Sequence, residues 1–269
     1  MKYSLIAEIG WNHMGKMDLA REMIKQASEN GANIAKFQTW KVSRLKSGEW
    51  DLDGRREIYE KAELSVDDHK YLMSCCKEFC IEFMSSAFSI PDAQLLVDLG
   101  CKKVKVPSFE VANYGLLNFC KKNFETIYVS TGTATSKEIQ KLADLFQNFQ
   151  GNLVVMHCVS AYPCDSSLIN LPRIAKLNSY FKNVGFSDHT QGILAAIASL
   201  KYSPVAIEKH FTVDKSLPGR DNKFAILPKD LNDLNQFLEL YPKFEKDNGL
   251  DYNSKESISR DQYRGRFDG

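Results

Sequence analysis

Three apolar runs in this chain end on side chains able to do acid–base or metal chemistry. Val205-Ala206-Ile207 leads into Glu208-Lys209-His210, and Val184-Gly185-Phe186 leads into Ser187-Asp188-His189. Near the start, Leu5-Ile6-Ala7 runs into Glu8 and then Asn12-His13. A buried parallel strand that turns polar at its C-terminal end is how barrel and open-sheet α/β enzymes present their chemistry. His189 and His210, each beside a carboxylate, suit a divalent metal with open positions or a general acid/base site. Other strand ends supply Lys36 and Gln38, Ser85 and Ser86, Lys105 with Ser108 and Glu110, Ser130 and Thr131, and His157 with Ser160. Lysines among hydroxyls make an anion site: the ammonium groups bring charge and the hydroxyls bring directional donors, a set suited to phosphate.

Other histidines carry blander readings. His157 reads as a core histidine whose ring bonds to backbone. His69, after Asp67-Asp68 on a helical segment, reads as a surface residue. His13 shares a loop with Asn12 and Gly15 and is read as a site residue in preference to a turn residue.

The elements that must hold these groups alternate along the chain. Strand-length apolar segments run over Leu5–Ile9, Ile34–Gln38, Ile81–Ser85, Lys103–Pro107, Ile127–Thr131, Leu153–Cys158, Val184–Ser187 and Val205–His210. Helix-period segments fall between them: Leu19–Glu29 capped by Asp18, Val66–Phe79 capped by Ser65, and Asp92–Leu99 opened by Pro91. Lys137–Phe146 follows Ser136, Ile193–Leu200 follows Gly192, and Leu231–Leu240 is capped by Asp230. Eight strand–helix units in a chain of this length predict a closed α/β (β/α)8 TIM barrel. An open doubly wound sheet fits less well, because no G-x-G-x-x-G follows the first strand and polar strand ends recur all round. The barrel is placed at residues 1–245 and a packing or dimer-contact tail at 246–269. The long gap Lys41–Glu63, with Trp50, Asp51, Asp53, Arg55 and Arg56, is read as a loop over the barrel mouth.

Composition narrows the partners. Lys plus Arg (35) nearly cancels Asp plus Glu (34), so no global field draws the chain to nucleic acid or a membrane surface. Glu8 interrupts the first apolar run after three residues and no run reaches the ~20 apolar residues of a spanning helix, so a cytoplasmic enzyme is expected. Seven cysteines without a C-x-x-C pair read as reduced thiols.

Taken in order, the motifs resemble the sialic acid (N-acylneuraminate) synthase family. They are Ala7-Glu8-Ile9-Gly10-Trp11-Asn12-His13-Met14-Gly15, Lys36-Phe37-Gln38-Thr39, Lys105-Val106-Pro107-Ser108-Phe109-Glu110, Ser130-Thr131-Gly132 and His157-Cys158-Val159-Ser160-Ala161-Tyr162-Pro163. Gly185-Phe186-Ser187-Asp188-His189-Thr190, Glu208-Lys209-His210-Phe211-Thr212 and Pro218-Gly219-Arg220-Asp221 complete the set, which spans about residues 3–230.

The resemblance implies condensation of phosphoenolpyruvate with an amino-sugar aldehyde, N-acetylmannosamine-like, to a sialic-acid-like nonulosonic acid and phosphate. It implies His189 and His210 as ligands of a divalent metal, Mn²⁺ by preference with Mg²⁺ or Co²⁺ as alternatives, with Glu8 near the metal or its water. Lys36, Lys105, Ser108, Ser130, Thr131, Ser160 and Ser187 would hold phosphoenolpyruvate, and Glu110, Tyr162 and Asp221 would touch the sugar. Of these, Glu8, Lys36, Lys105 and Glu110 are expected to act in catalysis, and a homodimer is expected.

The departures fall on the sugar half. Arg220 stands where proline is usual, Asn222 where histidine is frequent and Ala225 where serine is usual, and Ser85-Ser86-Ala87-Phe88-Ser89 is also altered. The C-terminal antifreeze-like domain usual in the family is not expected here. Arg55 and Arg56 of the mouth loop, or Arg260, Arg264 and Arg266 of the tail, are then candidates to contact the sugar. Competing readings are another phosphoenolpyruvate-dependent 3-deoxy-ulosonic acid synthase, a Schiff-base aldolase using Lys36, Lys105 or Lys209, and a non-catalytic sugar-phosphate-binding barrel.

Overall fold

The computed structural model describes residues 3–267, apart from the side chain of Trp50. Eight parallel strands close into a barrel in chain order: β1 (Ser4–Gly10), β2 (Ile34–Thr39), β3 (Glu82–Ala87), β4 (Lys103–Val106), β5 (Thr126–Ser130), β6 (Asn152–His157), β7 (Val184–Asp188) and β8 (Ala206–His210). The ring closes where Glu8 of β1 lies opposite His210 of β8.

Alternation along each strand sorts the side chains. Ile6, Ile34, Met84, Tyr128, Val154, Met156 and Ala206 face inward and fill the lower barrel as one cluster. Their neighbours, such as Leu5, Ala7, Ala35, Val104, Ile127, Val155 and Ile207, face outward into the layer shared with the helices. Gly185 fits this plan, since a Cβ there would stand 2.3 Å from Met156 Sδ and 2.9 Å from the carbonyl oxygen of Ala206. Above the plug the same inward positions turn polar, which puts the chemistry at the C-terminal mouth.

The helices are α1 (Met17–Glu29), α2 (Arg55–Ala62), α3 (Val66–Glu78), α4 (Ile90–Asp98), α5 (Tyr114–Asn123), α6 (Ser136–Phe146), α7 (Pro172–Leu177), α8 (Leu194–Ser199), α9 (Pro228–Phe244) and α10 (Ser257–Tyr263). Ser65 caps α3 as expected, its hydroxyl accepting from the Asp68 N–H while the Asp68 carboxylate accepts from the Ser65 N–H. Three starts differ from the sequence reading. Asp18 lies inside the first turn of α1 behind Lys16, and Thr135 rather than Ser136 caps α6. Asp230 lies in the first turn of α9, its carboxylate accepting from the Leu227 N–H.

The mouth loop after β2 is more ordered than a plain loop, because it folds 3-10 turns at Val42–Arg44 and Glu49–Asp51 and then α2. From Pro242, in the last turn of α9, to Phe267 the chain is exposed apart from Ser257, so this tail does not pack on its own barrel.

Candidate active site

At the C-terminal mouth a cavity of about 250 Å³ is lined by residues from all around the barrel. Its floor is a buried ion network. Lys36 Nζ lies 2.6 Å from Glu8 Oε2 and 3.7 Å from Glu208 Oε1, and donates to Ser86 Oγ at 3.0 Å. Lys105 donates to Glu208 Oε2 at 2.8 Å, and Ser187 donates to Glu208 Oε1 at 3.0 Å. Gln38 Nε2 holds the other oxygen of Glu8 at 2.7 Å. Glu208 therefore ties both lysines together from the centre of the floor.

Burial sets the protonation of this network. It pushes Glu8 up to about 7, against the pull of Lys36 and with the help of the neighbouring Glu208 charge. Burial also works against the charge on Glu208, yet Lys105 and Lys36 outweigh it and hold that carboxyl well below the usual range. Lys36 stays above its ordinary value, because Glu208 and Glu8 overcome the cost of burying its charge.

Two imidazoles stand beside this floor. His189 Nδ1 donates to the Val159 carbonyl at 2.7 Å, which leaves its Nε2 as a lone-pair donor 3.5 Å from Ser187 Oγ. The His210 ring centroid is 5.6 Å from that of His189, and its Nδ1 is buried without a hydrogen-bond partner, 3.7 Å from Asp221 Oδ2. Burial lowers His189 to about 4 and takes His210 well below its ordinary value, so both rings are neutral at pH 7. Neutral nitrogen donors sharing one cavity wall fit a divalent cation. No group of three His, Cys, Asp or Glu able to hold a metal occurs among the described residues. A cation here would thus keep positions for water and substrate.

The rim is aromatic. Tyr59 of α2 packs edge-on against Trp11 and Trp40, with centroids 5.5 Å and 5.7 Å away. Phe88, Phe109, Leu45 and Tyr162 continue the wall, and Arg220 lays its guanidinium 5.5 Å from the Tyr162 ring centroid. Asp221 beside it accepts from Trp11, and burial raises it to about 6.

A family model described as the NeuB family matches residues 23–246. The chain belongs to the NeuB family. Several relatives are synthases of legionaminic, pseudaminic or N-acetylneuraminic acid derivatives. It is 35% identical over 249 residues to an N,N'-diacetyllegionaminic acid synthase of Legionella pneumophila, covering 86% of this chain and 70% of that one. It is 32% identical over 238 residues to a pseudaminic acid synthase of Campylobacter jejuni, covering 84% and 69% of the two chains. Among solved structures, an N-acetylneuraminic acid synthetase of Leptospira borgpetersenii, in complex with citrate, superposes with a TM-score of 0.85 at 28% identity. That match covers 99% of this chain and 94% of the other.

Of the residues singled out from this NeuB sequence, Glu8, Lys36, Lys105, Ser108, Ser130, Tyr162, Ser187, His189, His210 and Asp221 line the cavity. Three do not. Glu110 sits in the turn after β4 and accepts from Asn113 Nδ2 at 2.7 Å. Thr131 turns outward, and its hydroxyl donates to the Met156 carbonyl at 3.1 Å. Ser160 stands behind the wall, its hydroxyl 2.7 Å from Ser108 Oγ.

His13 is a turn residue after all: it is wholly buried, and Nδ1 accepts from the Gly15 N–H at 3.1 Å. His69 is not on the surface. It is fully buried, with Nε2 2.8 Å from Thr39 Oγ1 and Nδ1 2.7 Å from the Ser65 carbonyl oxygen. His157 is the core residue expected, with Nε2 donating to the Ile169 carbonyl at 2.8 Å and its ring stacked on Phe186.

Four of the five arginines proposed for the sugar are engaged elsewhere. Arg55 pairs with Asp53, Arg56 with Asp51 and Glu60, Arg260 stacks on Tyr252, and Arg266 lies over Tyr263. Arg220 occupies the cavity instead. Glu208 was read from sequence only as a carboxylate near His210, not as the group that ties the lysines together, although its place two residues before His210 puts both on one face of β8. Trp11, Trp40 and Tyr59 carried no such signal, since they come from loops and α2, where strand alternation is silent.

Proposed function

We propose that this NeuB-family enzyme condenses phosphoenolpyruvate with an acylamino-sugar aldehyde to give a sialic-acid-like nonulosonic acid and phosphate. The observation carrying this reading is the floor, where two buried ammonium groups and a ring of hydroxyls sit within one cavity beside two neutral imidazoles. Phosphoenolpyruvate presents a phosphate and a carboxylate. Lys36 and Lys105 would turn from Glu8 and Glu208 towards these anions, with Ser108, Ser130 and Ser187 as directional donors.

The methylene carbon of phosphoenolpyruvate forms the new bond to the aldehyde carbon, and the aldehyde oxygen takes a proton. Water then adds at the neighbouring carbon, and the C–O bond to phosphate breaks. Glu8, poised near neutrality by burial, is suited to take the proton from that water, and the lysines stabilise the charge growing on the departing phosphate. A divalent cation on His189 and His210, Mn²⁺ by preference, would act as a Lewis acid on the aldehyde oxygen.

The cavity speaks against the Schiff-base reading. Lys36 and Lys105 sit against carboxylates, and Lys209 points away from the cavity into a pair with Asp188. Phosphate release from phosphoenolpyruvate, with N-acetylmannosamine and related acylamino sugars and added Mn²⁺, tests the proposal. Release that requires the sugar and stops in excess chelator is the expected result. Covalent trapping by borohydride, or full activity in chelator, would overturn the mechanism. We also propose, from the family resemblance, that the enzyme works in the cytoplasm as a homodimer. No helix among the described residues is long and apolar enough to cross a membrane.

A further inference from the structure

After β8 the chain leaves the barrel at the mouth and returns beside its own stem. Phe211 and Ile226 form a parallel bridge. The Thr212 N–H donates to the Ile226 carbonyl at 3.0 Å, and the Ile226 N–H donates to the His210 carbonyl at 2.8 Å. The loop between these clamps brings Arg220 and Asp221 into the cavity wall. A loop held only at its two ends places such groups loosely, and a displacement of about 1 Å at a substrate contact can cost about 100-fold in rate.

Asn222 closes this loop from inside. It is wholly buried, stands behind the cavity wall, and uses both ends of its amide. Oδ1 accepts from the Thr212 hydroxyl at 2.5 Å, at the stem of the loop. Nδ2 donates to the Pro218 carbonyl at 2.8 Å, across the turn, and to the Asn12 carbonyl at 3.4 Å, in the loop after β1. Asn12 returns the tie, its Nδ2 donating to the Phe211 carbonyl at 2.9 Å. One amide thus joins the stem and the turn of the β8 loop to the β1 loop, which carries Trp11.

The fit is close. Gly219 has a φ of +108°, and a Cβ there would stand 3.1 Å from Met14 Sδ and 3.2 Å from the Trp11 ring. On the cavity side of the same turn, Asp221 accepts from Trp11 and lies 3.7 Å from His210 Nδ1. A buried amide whose donors and acceptor are all met fixes one arrangement of the groups that it joins. Removing it strands two carbonyls and a hydroxyl, which the loop can re-satisfy only by moving.

Resting on the synthase reading above, we propose that Asn222 is a positioning residue for the sugar-side wall. It touches no substrate, and it holds Arg220 and Asp221 in register with Trp11 by pinning the β8 loop to Thr212 and Asn12.

The test is phosphate-release kinetics on the full chain with phosphoenolpyruvate, Mn²⁺ and N-acetylmannosamine. Asn222→Ala should lower kcat/KM for the sugar by about 10- to 100-fold. KM for phosphoenolpyruvate should stay within about twofold, because Lys36 and Lys105 are held by β2 and β4, away from the loop. Thr212→Val should show a smaller loss of the same kind, and Thr212→Ser, which keeps the hydroxyl, should retain most of the native value. This pair carries the test on its own where Asn222→Ala does not fold. The two changes combined should be no worse than Asn222→Ala alone, since both break one contact. In hydrogen exchange, residues 213–225 should lose protection in Asn222→Ala while β2 and β4 keep theirs.

Equal losses for both substrates, with protection falling throughout the barrel, would overturn the inference and make Asn222 a general brace. Additive effects of Asn222→Ala and Thr212→Val would overturn it too, and so would unchanged exchange in the loop. Native protein whose phosphate release no sugar stimulates would overturn the synthase reading instead, and the exchange measurement would still decide whether Asn222 pins the loop.

Discussion

Two buried ion pairs, one residue apart on β8, face opposite sides of the barrel wall. Glu208 points inward and takes Lys105 at 2.8 Å, Lys36 at 3.7 Å and a serine hydroxyl, all on the cavity floor. Lys209 points outward and meets Asp188 at 3.0 Å and the Thr190 carbonyl at 2.7 Å, while Asp188 also accepts from the Thr190 N–H. Both are carboxylate–lysine pairs and both are almost fully buried. What differs is whether the partners can change. The outer pair is enclosed by strand and helix and has its donors and acceptors met by fixed backbone. The inner pair opens on a cavity where an incoming anion can replace the carboxylate. Buried charge becomes a structural bolt in one case and a binding device in the other, according to strand parity alone.

The largest effect should come from breaking the bolt. Asp188→Ala leaves the Lys209 ammonium buried without its counter-charge, which costs about 3–5 kcal/mol in comparable pairs. Chemical denaturation should show that loss, and Asp188→Ala combined with Lys209→Met should regain much of it, because no charge is then stranded. If the single and double variants are equally unstable, the damage comes from packing and the contrast with Glu208 fails.

The second prediction concerns the inner pair. Lys105→Met removes a cation while keeping the stem, and Glu208 retains Ser187 and Lys36. Activity should fall by about 10²–10³, the scale for losing one preorganised donor to a developing charge. The unfolding midpoint should move far less than in Asp188→Ala. A variant as unstable as Asp188→Ala would mean that the floor is a bolt too, and unchanged kcat/KM would remove Lys105 from the reaction.

The same parity explains how far the site could be read from sequence. Glu8, Lys36, Lys105, Ser187 and His210 close apolar runs, so their arrival at one mouth followed from the barrel. Ser130 and Thr131 look equivalent on paper, yet a one-residue step sends one hydroxyl into the cavity and the other into the backbone of β6. His69 was misread because neighbouring Asp67 and Asp68 suggested a solvated face. Its own position turns back under the barrel wall to Thr39, a tertiary contact that no local pattern encodes. The aromatic rim and Arg220 come from loops and α2, whose conformations depend on what they pack against. The floor was therefore largely legible, while of the rim only Tyr162 and Asp221, carried by the family resemblance, were.

Histidines sharpen the comparison further. His13 and His157 lie outside the cavity, and burial lowers both to about 4 from an ordinary 6.5. As pH falls below 6.5 the unfolded chain binds protons that the folded chain refuses, so stability drops through that window and levels off below about 4. Each contributes about 2 kcal/mol of loss between pH 7.5 and 5. Urea midpoints across this range should fall for the native protein, and His157→Gln should flatten the slope by one histidine's share. A midpoint independent of pH would show that these rings are hydrated in solution.

The smallest effect is expected where charge is most visible. Arg55 and Arg56 stand on the mouth segment, close in sequence to Tyr59 on the rim, and position alone makes them attractive sugar ligands. Arg55, however, is bound by Asp53 at 2.6 Å, and Arg56 by Asp51 at 2.8 Å and Glu60 at 2.9 Å, all on the solvent side. Exposed pairs of this kind contribute little, because water and salt screen them and two long side chains must be ordered to form them. Neither arginine lines the cavity, whereas Arg220 does. Arg55→Ala/Arg56→Ala should therefore keep sugar KM within about twofold, the change expected of a screened surface pair. Arg220→Ala in the same assay raises it well beyond that. A sugar KM that rises as far in the double variant as in Arg220→Ala would move the specificity determinant from the cavity wall to the outer face of α2. The aromatic rim would then be a hinge for that segment instead of the surface on which the sugar rests.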